Sequence, residues 1–364
     1  MNKFKKEFKL KQHTPIIHFQ SEQLGATLRA TELKPKLDRF LLQKVPDLPC
    51  VKNANGHKSL DYKVKIEPNL APSEKIDSKE SLFFGNMGNE EDKDYKKYKE
   101  AIKPFKITFL SFEEDVLTAI NDHFEAFLAN TNFGTRQSKG YGSFYLADKK
   151  FNPSLIDGKV YSFSTKNWEK DVKLLYQFLR QGINLSMRPS NPFYTKPLIF
   201  TYAKSKDWQW DKKSIKEEFF QHELKQQQEK HHSDILTFSS KQKYLLRDLF
   251  GLSSSQEWKS YGTTIEKEHP EIERFKSPIT FKIVDDKVYF WANESVQKVL
   301  DKEFKVKAKR KGEFKLSTPE HFSFDEFFDF AFKVNLDTHI ESKYHKANEY
   351  ANLKKITNEI KAGL

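Results

Sequence analysis

Gly134-Thr-Arg-Gln-Ser-Lys-Gly-Tyr-Gly-Ser-Phe-Tyr-Leu146 puts three glycines and two cations into little more than two turns' worth of chain, between a long amphipathic helical pattern and an apolar strand-like run. Glycine takes positive φ and has no Cβ. Gly134, Gly140 and Gly142 therefore let backbone amides turn toward a ligand and let that ligand approach closely. Phosphate suits such a loop: Arg136 forks two oxygens, Lys139 adds a point charge, Ser138 stands between them, and Tyr141 offers a ring to a base. The spacing matches neither a Walker loop nor G-x-G-x-x-G opening a helix, and a strand follows where a nucleotide cradle needs a helix. The same residues also read as a helix C-cap at Gly134 followed by a glycine-tolerant turn with surface cations.

Upstream of the loop, Ser111-Phe-Glu-Glu114 has the form of a capping box, and Phe112, Val116, Leu117, Ile120, Phe124, Phe127 and Leu128 fall on one helical stripe. Phe105 to Leu110 reads as the strand before it. Nearer the start, Lys3 to Gln12 alternates Phe4, Phe8 and Leu10 with cations, and the strand bends at Pro15 before continuing to Phe19. A short helix is expected from Pro35, with Leu37, Phe40 and Leu41 on its buried face. Arg29, Lys34, Lys36 and Arg39 gather around that helix start, either as a solvated polar face or as a phosphate contact. Residues 44–81, rich in Pro and Asn, predict long loops around one strand at Tyr62 to Ile66. The succession of strand, helix, strand and helix with basic loops predicts an α+β chain with a ferredoxin-like or RNA-recognition-type sheet.

Composition sets the outer limits. The chain of 364 residues is long enough for two domains. Its 63 Lys+Arg against 51 Asp+Glu give a formal charge of +12, which favours a polyanionic partner. The 33 phenylalanines supply large aromatic cores with rings to spare. Cys50 is the single cysteine, which excludes an internal disulfide framework or a cysteine-based zinc site and suits a reducing cytoplasm. The first residues are basic but lack an apolar signal core, and no apolar run approaches a membrane span, so a cytoplasmic location is expected.

Downstream of the loop, Lys159 to Thr165 predicts a strand, Trp168 to Gly182 a helix, Pro197 to Tyr202 a strand, and Asp211 to His231 and Lys241 to Phe250 two further helices. Ile279 to Val284 and Lys287 to Trp291 form a strand pair around Asp285-Asp286. The most basic window sets Lys302, Lys305, Lys307, Lys309, Arg310, Lys311 and Lys315 against Asp301, Glu303 and Glu313. A strand there aims a row of lysines outward, for a polyanion or as the guard of an edge strand. A helix at Phe324 to Val334 and a charged one from His339 to Ala362 close the chain, the last with a thin apolar stripe that suggests a partner or a mobile tail.

Catalytic constellations are scarce. His231-His232 with His222 and Asp234 makes a poor metal chelate, because adjacent helical side chains point about 100° apart. His13 and His18 flank Pro15 and suit general acid–base work on RNA, or a structural place beside a strand. Asp38 reads first as a counter-charge beside Arg39. No cofactor is expected.

Four segments in order carry a resemblance to a known family: Thr14-Pro-Ile-Ile, Thr31-Glu-Leu-Lys-Pro-Lys-Leu-Asp-Arg39, Phe83-Phe-Gly-Asn86 and the loop at 134–143. They resemble the RAMP superfamily of CRISPR-associated proteins, most of all the large capping subunit of the type III-B (Cmr) effector, and Arg274-Phe-Lys-Ser-Pro278 resembles the strand entry of that family's second domain. Pro35, Asn86, Thr135 and Lys139 stand where the family has glycine, serine, glycine and arginine. The resemblance implies two ferredoxin-like (RRM-like) RAMP domains with long loop insertions, at 1–166 and 167–364. It implies a non-enzymatic subunit that holds guide or target RNA among sister RAMP subunits in antiviral defence. Arg136, Ser138 and Lys139 would then contact phosphate, and Arg29, Lys34, Lys36 and Arg39 extend the track. The alternatives within this reading are a metal-independent endoribonuclease that processes CRISPR RNA through His13 or His18, and a purely structural subunit.

Overall fold

The computed structural model describes residues 3–18, 28–52, 56–67, 73–75, 96–98, 103–223, 242–252, 254–258 and 261–364. The motif at 83–86, the histidine pair at 231–232 and most of residues 89–99 lie outside these residues. Two compact units result, one built from the described residues up to Glu169 together with Thr280–Trp291, the other from those in Lys170–Ile279 and Ala292–Leu364. The return of 280–291 to the first unit differs from the expected division at 166/167, which placed that hairpin in the second domain.

In the first unit, β1 (Lys5–Gln12), β2 (Lys63–Glu67), β3 (Phe105–Leu110) and β4 (Phe144–Leu146) form an antiparallel sheet ordered β2-β3-β1-β4. Helix α1 (Ala30–Lys44) follows β1 and α2 (Glu114–Asn130) follows β3. The period-two alternation of β1 and β3 buries Leu10, Ile107 and Phe109 against Leu33, Leu37 and Leu41 of α1 and Val116, Ile120, Phe124 and Phe127 of α2. The Phe124 ring lies 4.7 Å from Phe8 and 5.1 Å from Phe109, so the aromatic surplus is spent largely on edge contacts inside the core. A second sheet joins β5 (Tyr161–Ser164), β6 (Ile279–Val284) and β7 (Lys287–Ala292) in the order β5-β7-β6.

Two local expectations change here. Helix α1 starts at Ala30, leaving Pro35 inside it, because Leu33 one turn earlier is also buried and Glu32 pairs with Lys36 across the second turn. The capping box does not form. The Ser111 hydroxyl donates to the Asp61 carbonyl and accepts the Glu113 amide, so the helix begins at Glu114 and Phe112 is held outward, 87% exposed.

The second unit carries a six-stranded sheet in a different order: Trp208–Trp210, Gln242–Tyr244, Gly312–Ser317, Glu303–Ala308, Thr263–Glu268, Ser255–Trp258, with parallel pairings at its first two joints. The basic strand Glu303–Ala308 is thus interior, and the edge-guard reading falls. The lysines of this window meet carboxylates: Lys305 pairs with Glu313, Lys307 with Glu268, and Lys315 of the next strand with Glu303. Residues expected as a strand at 197–202 form the helix Leu198–Ser205 instead, since Leu198, Ile199, Tyr202 and Ala203 bury at helical spacing after Pro197 sets the entry. The helix expected at 241–250 is a strand, Gln242–Tyr244, followed by a 3-10 turn at Arg247–Phe250. The closing helix Asn348–Ala362 buries Tyr350, Leu353, Ile356 and Ile360, so its stripe is packed. The whole is a mixed α and β chain with mostly antiparallel sheets, and no helix among the described residues is long and apolar enough to cross a membrane.

Candidate nucleic-acid interface

The glycine loop follows α2 directly and is folded against its own unit. Gly134, Gly140 and Gly142 all have positive φ, at 79°, 95° and 66°. A Cβ at Gly142 would stand 1.9 Å from the Phe133 carbonyl oxygen, and one at Gly140 would stand 2.1 Å from Ile283 Cδ1. These glycines are therefore demanded by close packing of protein on protein. Their amides are engaged as well: Gly142 donates to the Pro15 carbonyl, Gly140 to that of Gln137, and Gly134 to the Glu32 carboxylate at 2.6 Å. The amide of Gly134 is thus taken by an internal carboxylate.

Lys36 explains how that carboxylate is held. Its Nζ donates to Glu32 Oε1 at 3.0 Å, to the Asn132 carbonyl at 2.9 Å and to Gln137 Oε1 at 2.8 Å, joining α1 to both ends of the loop's first turn. Lys34 donates to the Leu60 carbonyl and pairs with buried Asp38, lying 3.8 Å from the centre of the Tyr62 ring. Lys139 is 6% exposed, in a bridge to Phe281, and Tyr141 is 3% exposed, with its hydroxyl donating to Glu169 and its ring edge-on to Trp168. The Ser138 carbonyl accepts the Phe281 amide. Of the residues singled out in the sequence, Arg39 is exposed, while Arg29, at the N-cap of α1, and Arg136, at φ 55°, are part-exposed. The structure brings Lys36 and the glycines together at one place; Lys34 and Asp38 face the Leu60 side of α1.

Strand β6 completes the loop's setting; the sequence marks it as a strand but not as the loop's neighbour. Asn132 Nδ2 donates to the Phe281 carbonyl and Ser143 Oγ to that of Ile283. Between them, Lys282 is fully buried and its Nζ donates to the Thr131 and Phe144 carbonyls, one on each flank of the loop. Burial pushes its pKa well below the ordinary lysine value, and the charge on Lys36 adds to this. The one sequence signal was a lysine at an otherwise apolar strand position.

His13, the proton donor of the nuclease alternative, has a side chain only 3% exposed, and its Nδ1 accepts the Asp285 amide at 3.1 Å. Burial lowers its pKa to about 4, against an opposing pull from the Asp285 carboxylate and with help from the charges of Lys11 and Lys282. His18 ends the short strand Ile16–His18, and its side chain lies outside the described residues. Because the folded pKa of His13 lies below the unfolded value near 6.5, the unfolded chain binds a proton that the folded one refuses between about pH 6.5 and 4. Stability is expected to fall by about 1–3 kcal/mol as pH drops through that window and to stay flat above it as far as His13 is concerned. Urea midpoints against pH should show this slope in the wild type and a clearly shallower one in His13→Asn. Asp285, whose carboxyl is held low chiefly by its hydrogen bond from Lys11, contributes only at lower pH.

Comparison with known proteins gives a consistent result. The family model for the Cmr1 N-terminal domain matches residues 3–185, and that for the Cmr1 C-terminal domain matches residues 194–362. No curated protein matches. Among solved structures, the chain is similar to the apo crystal structure of Cmr1 from Pyrococcus furiosus, at 12% identity over 80% of this chain and 88% of that one, with a TM-score of 0.27. Since the two family models together cover nearly the whole sequence in the expected order, the chain belongs to the Cmr1 family of type III-B CRISPR RAMP proteins.

Proposed function

We propose that this chain is a non-enzymatic, RNA-binding subunit of a Cmr effector, which holds guide or target RNA beside sister RAMP subunits inside the cell. The family match along the chain carries this reading. The net charge of +12 supports a polyanionic ligand. The order β2-β3-β1-β4, with helices after the first and third of these strands in sequence, supports a ferredoxin-like reading of the first unit. The burial of His13, which also pushes its pKa down to about 4, speaks against its use as a general acid or base on a substrate.

At the glycine loop the contact falls to exposed Arg39 on α1 and to part-exposed Arg136 and Arg29, because Lys34 and Lys36, though also part-exposed, give hydrogen bonds to carbonyls within the fold. Lys34, Lys36, Lys139 and Tyr141 shape the support beneath them, as do Gly134, Gly140 and Gly142. Fluorescence anisotropy of Arg39→Ala with Arg136→Ala against single-stranded RNA tests this. Each phosphate contact removed should lower the log–log salt slope by roughly 0.7, and an unchanged affinity and slope would remove the loop from the interface.

A further inference from the structure

The alternation that turns Leu10, Ile107 and Phe109 toward the helices turns the intervening residues of the first sheet to its other face. Register aligns Lys63, Leu110 and Lys5 in one row, Lys65, Thr108 and Glu7 in the next, and Glu67, Lys106 and Lys9 in the third. Lys11 continues the line along β1. Among the described strands, this face therefore sets six lysines against Glu7 and Glu67. Glu7 is shared by Lys5 and Lys106, and Glu67 by Lys65 and Lys106, so the face remains positive after its ion pairs are made.

The chemistry of the face narrows its ligand. Leu110 is the one large apolar side chain in these rows, and no aromatic ring stands among them, so the rows suit neither an apolar protein surface nor stacked bases. Lysines repeated every second residue along adjacent strands do suit a flexible polyanion that is bound by its backbone. At the end of β1 the character changes. Lys11 also lines a pocket of about 390 Å³, with Lys149, Lys150 and Lys287 and the rings of Phe151 and Tyr289. Tyr289 is half-buried, 4.5 Å from Phe151, with Lys287 Nζ 5.5 Å from its ring centre. Asp285 and Asp286 share the rim, and Asp285 is paired with Lys11 at 2.6 Å. The volume falls within the roughly 300–1,000 Å³ of small-ligand pockets.

We propose that this open sheet face is a sequence-independent track for the sugar–phosphate backbone of a single-stranded nucleic acid, which seats one nucleotide in the adjoining pocket against Tyr289. The inference rests on the reading that the chain binds nucleic acid but places the contact on a surface separate from the glycine loop. The track recognises phosphate, so RNA and DNA strands both serve as probes.

Anisotropy titrations of the full chain with labelled oligouridylate and oligothymidylate over a salt series test it, with far-UV CD melts as the folding control. Neutralising Lys9, Lys63 and Lys65 to Ser should lower the salt slope by about 2 with both probes and weaken binding roughly tenfold or more. Tyr289→Leu should weaken binding about fivefold or more at an unchanged slope; Lys150→Ser should lower affinity and slope together. A triple-serine variant that melts and binds like the wild type overturns the track, as does polyglutamate competing as well as RNA. Failure of the wild type to bind either strand overturns the RNA-binding reading too, whereas binding lost only in the Arg39→Ala, Arg136→Ala variant overturns the track and leaves that reading standing.

Discussion

Gly142→Ala is expected to destabilise the first unit by more than about 3 kcal/mol, a large part of the roughly 5–15 kcal/mol available to a whole domain. Two costs act together. At φ 66° an L side chain is strained by about 1–2 kcal/mol, and its Cβ would stand 1.9 Å from the Phe133 carbonyl oxygen and 2.7 Å from its carbon. Backbone cannot swing aside as a lysine tip does. Any shift that relieves the overlap also breaks the bond from the Phe133 amide to the Gly142 carbonyl at 2.9 Å. Gly262→Ala is the matched control: its φ is 55°, but nothing lies within 4 Å of the added carbon, so only the conformational cost of about 1 kcal/mol remains. Urea denaturation of the two variants separates packing from φ. A Gly142→Ala midpoint as close to the wild type as that of Gly262→Ala would show that the loop is not folded against Phe133.

The same loop shows where the sequence was legible and where it was not. Its glycines were recognisable as positions of special backbone, because positive φ is a local property of the residue. What they face was not, because Glu32, Lys36 and β6 reach the loop through tertiary contacts from far along the chain. A lysine reads as a surface cation until its acceptors are known, and Lys36 and Lys34 each find theirs within the fold. The stripe Val116, Ile120, Phe124, Phe127 was legible from helical period alone. Phe112 fits that period equally well and is exposed because one hydroxyl, on Ser111, bonds outside the helix. The basic window at 301–315 shows the same limit: Glu268, which pairs with Lys307, lies on a neighbouring strand that the sequence does not place beside it. Charge is additive along a sequence, but exposure of charge is decided by pairing across strands.

Lys282→Met should cost about 2–5 kcal/mol, with the loss concentrated at the glycine loop. General experience with buried charges points the other way, since replacing them by a hydrophobe of similar volume is often neutral or stabilising. The difference lies in what stays behind. That experience concerns pairs or triads replaced together, whereas Lys282 is held by two backbone carbonyls, at Thr131 and Phe144, that no substitution removes. Each carbonyl left without a donor in a buried place costs about 1–3 kcal/mol. Relief of the burial that lowers the pKa of this group works in the opposite direction and keeps the expected net below the upper end of two such carbonyls. Native-state hydrogen exchange reads the outcome directly: the amides of Phe133 and Gly142, which bond across the base of the loop and to Pro15, should lose protection more than those of α2. Uniform loss across the unit would make Lys282 a general core residue, and no loss would mean that the loop holds its shape without the strand beneath it.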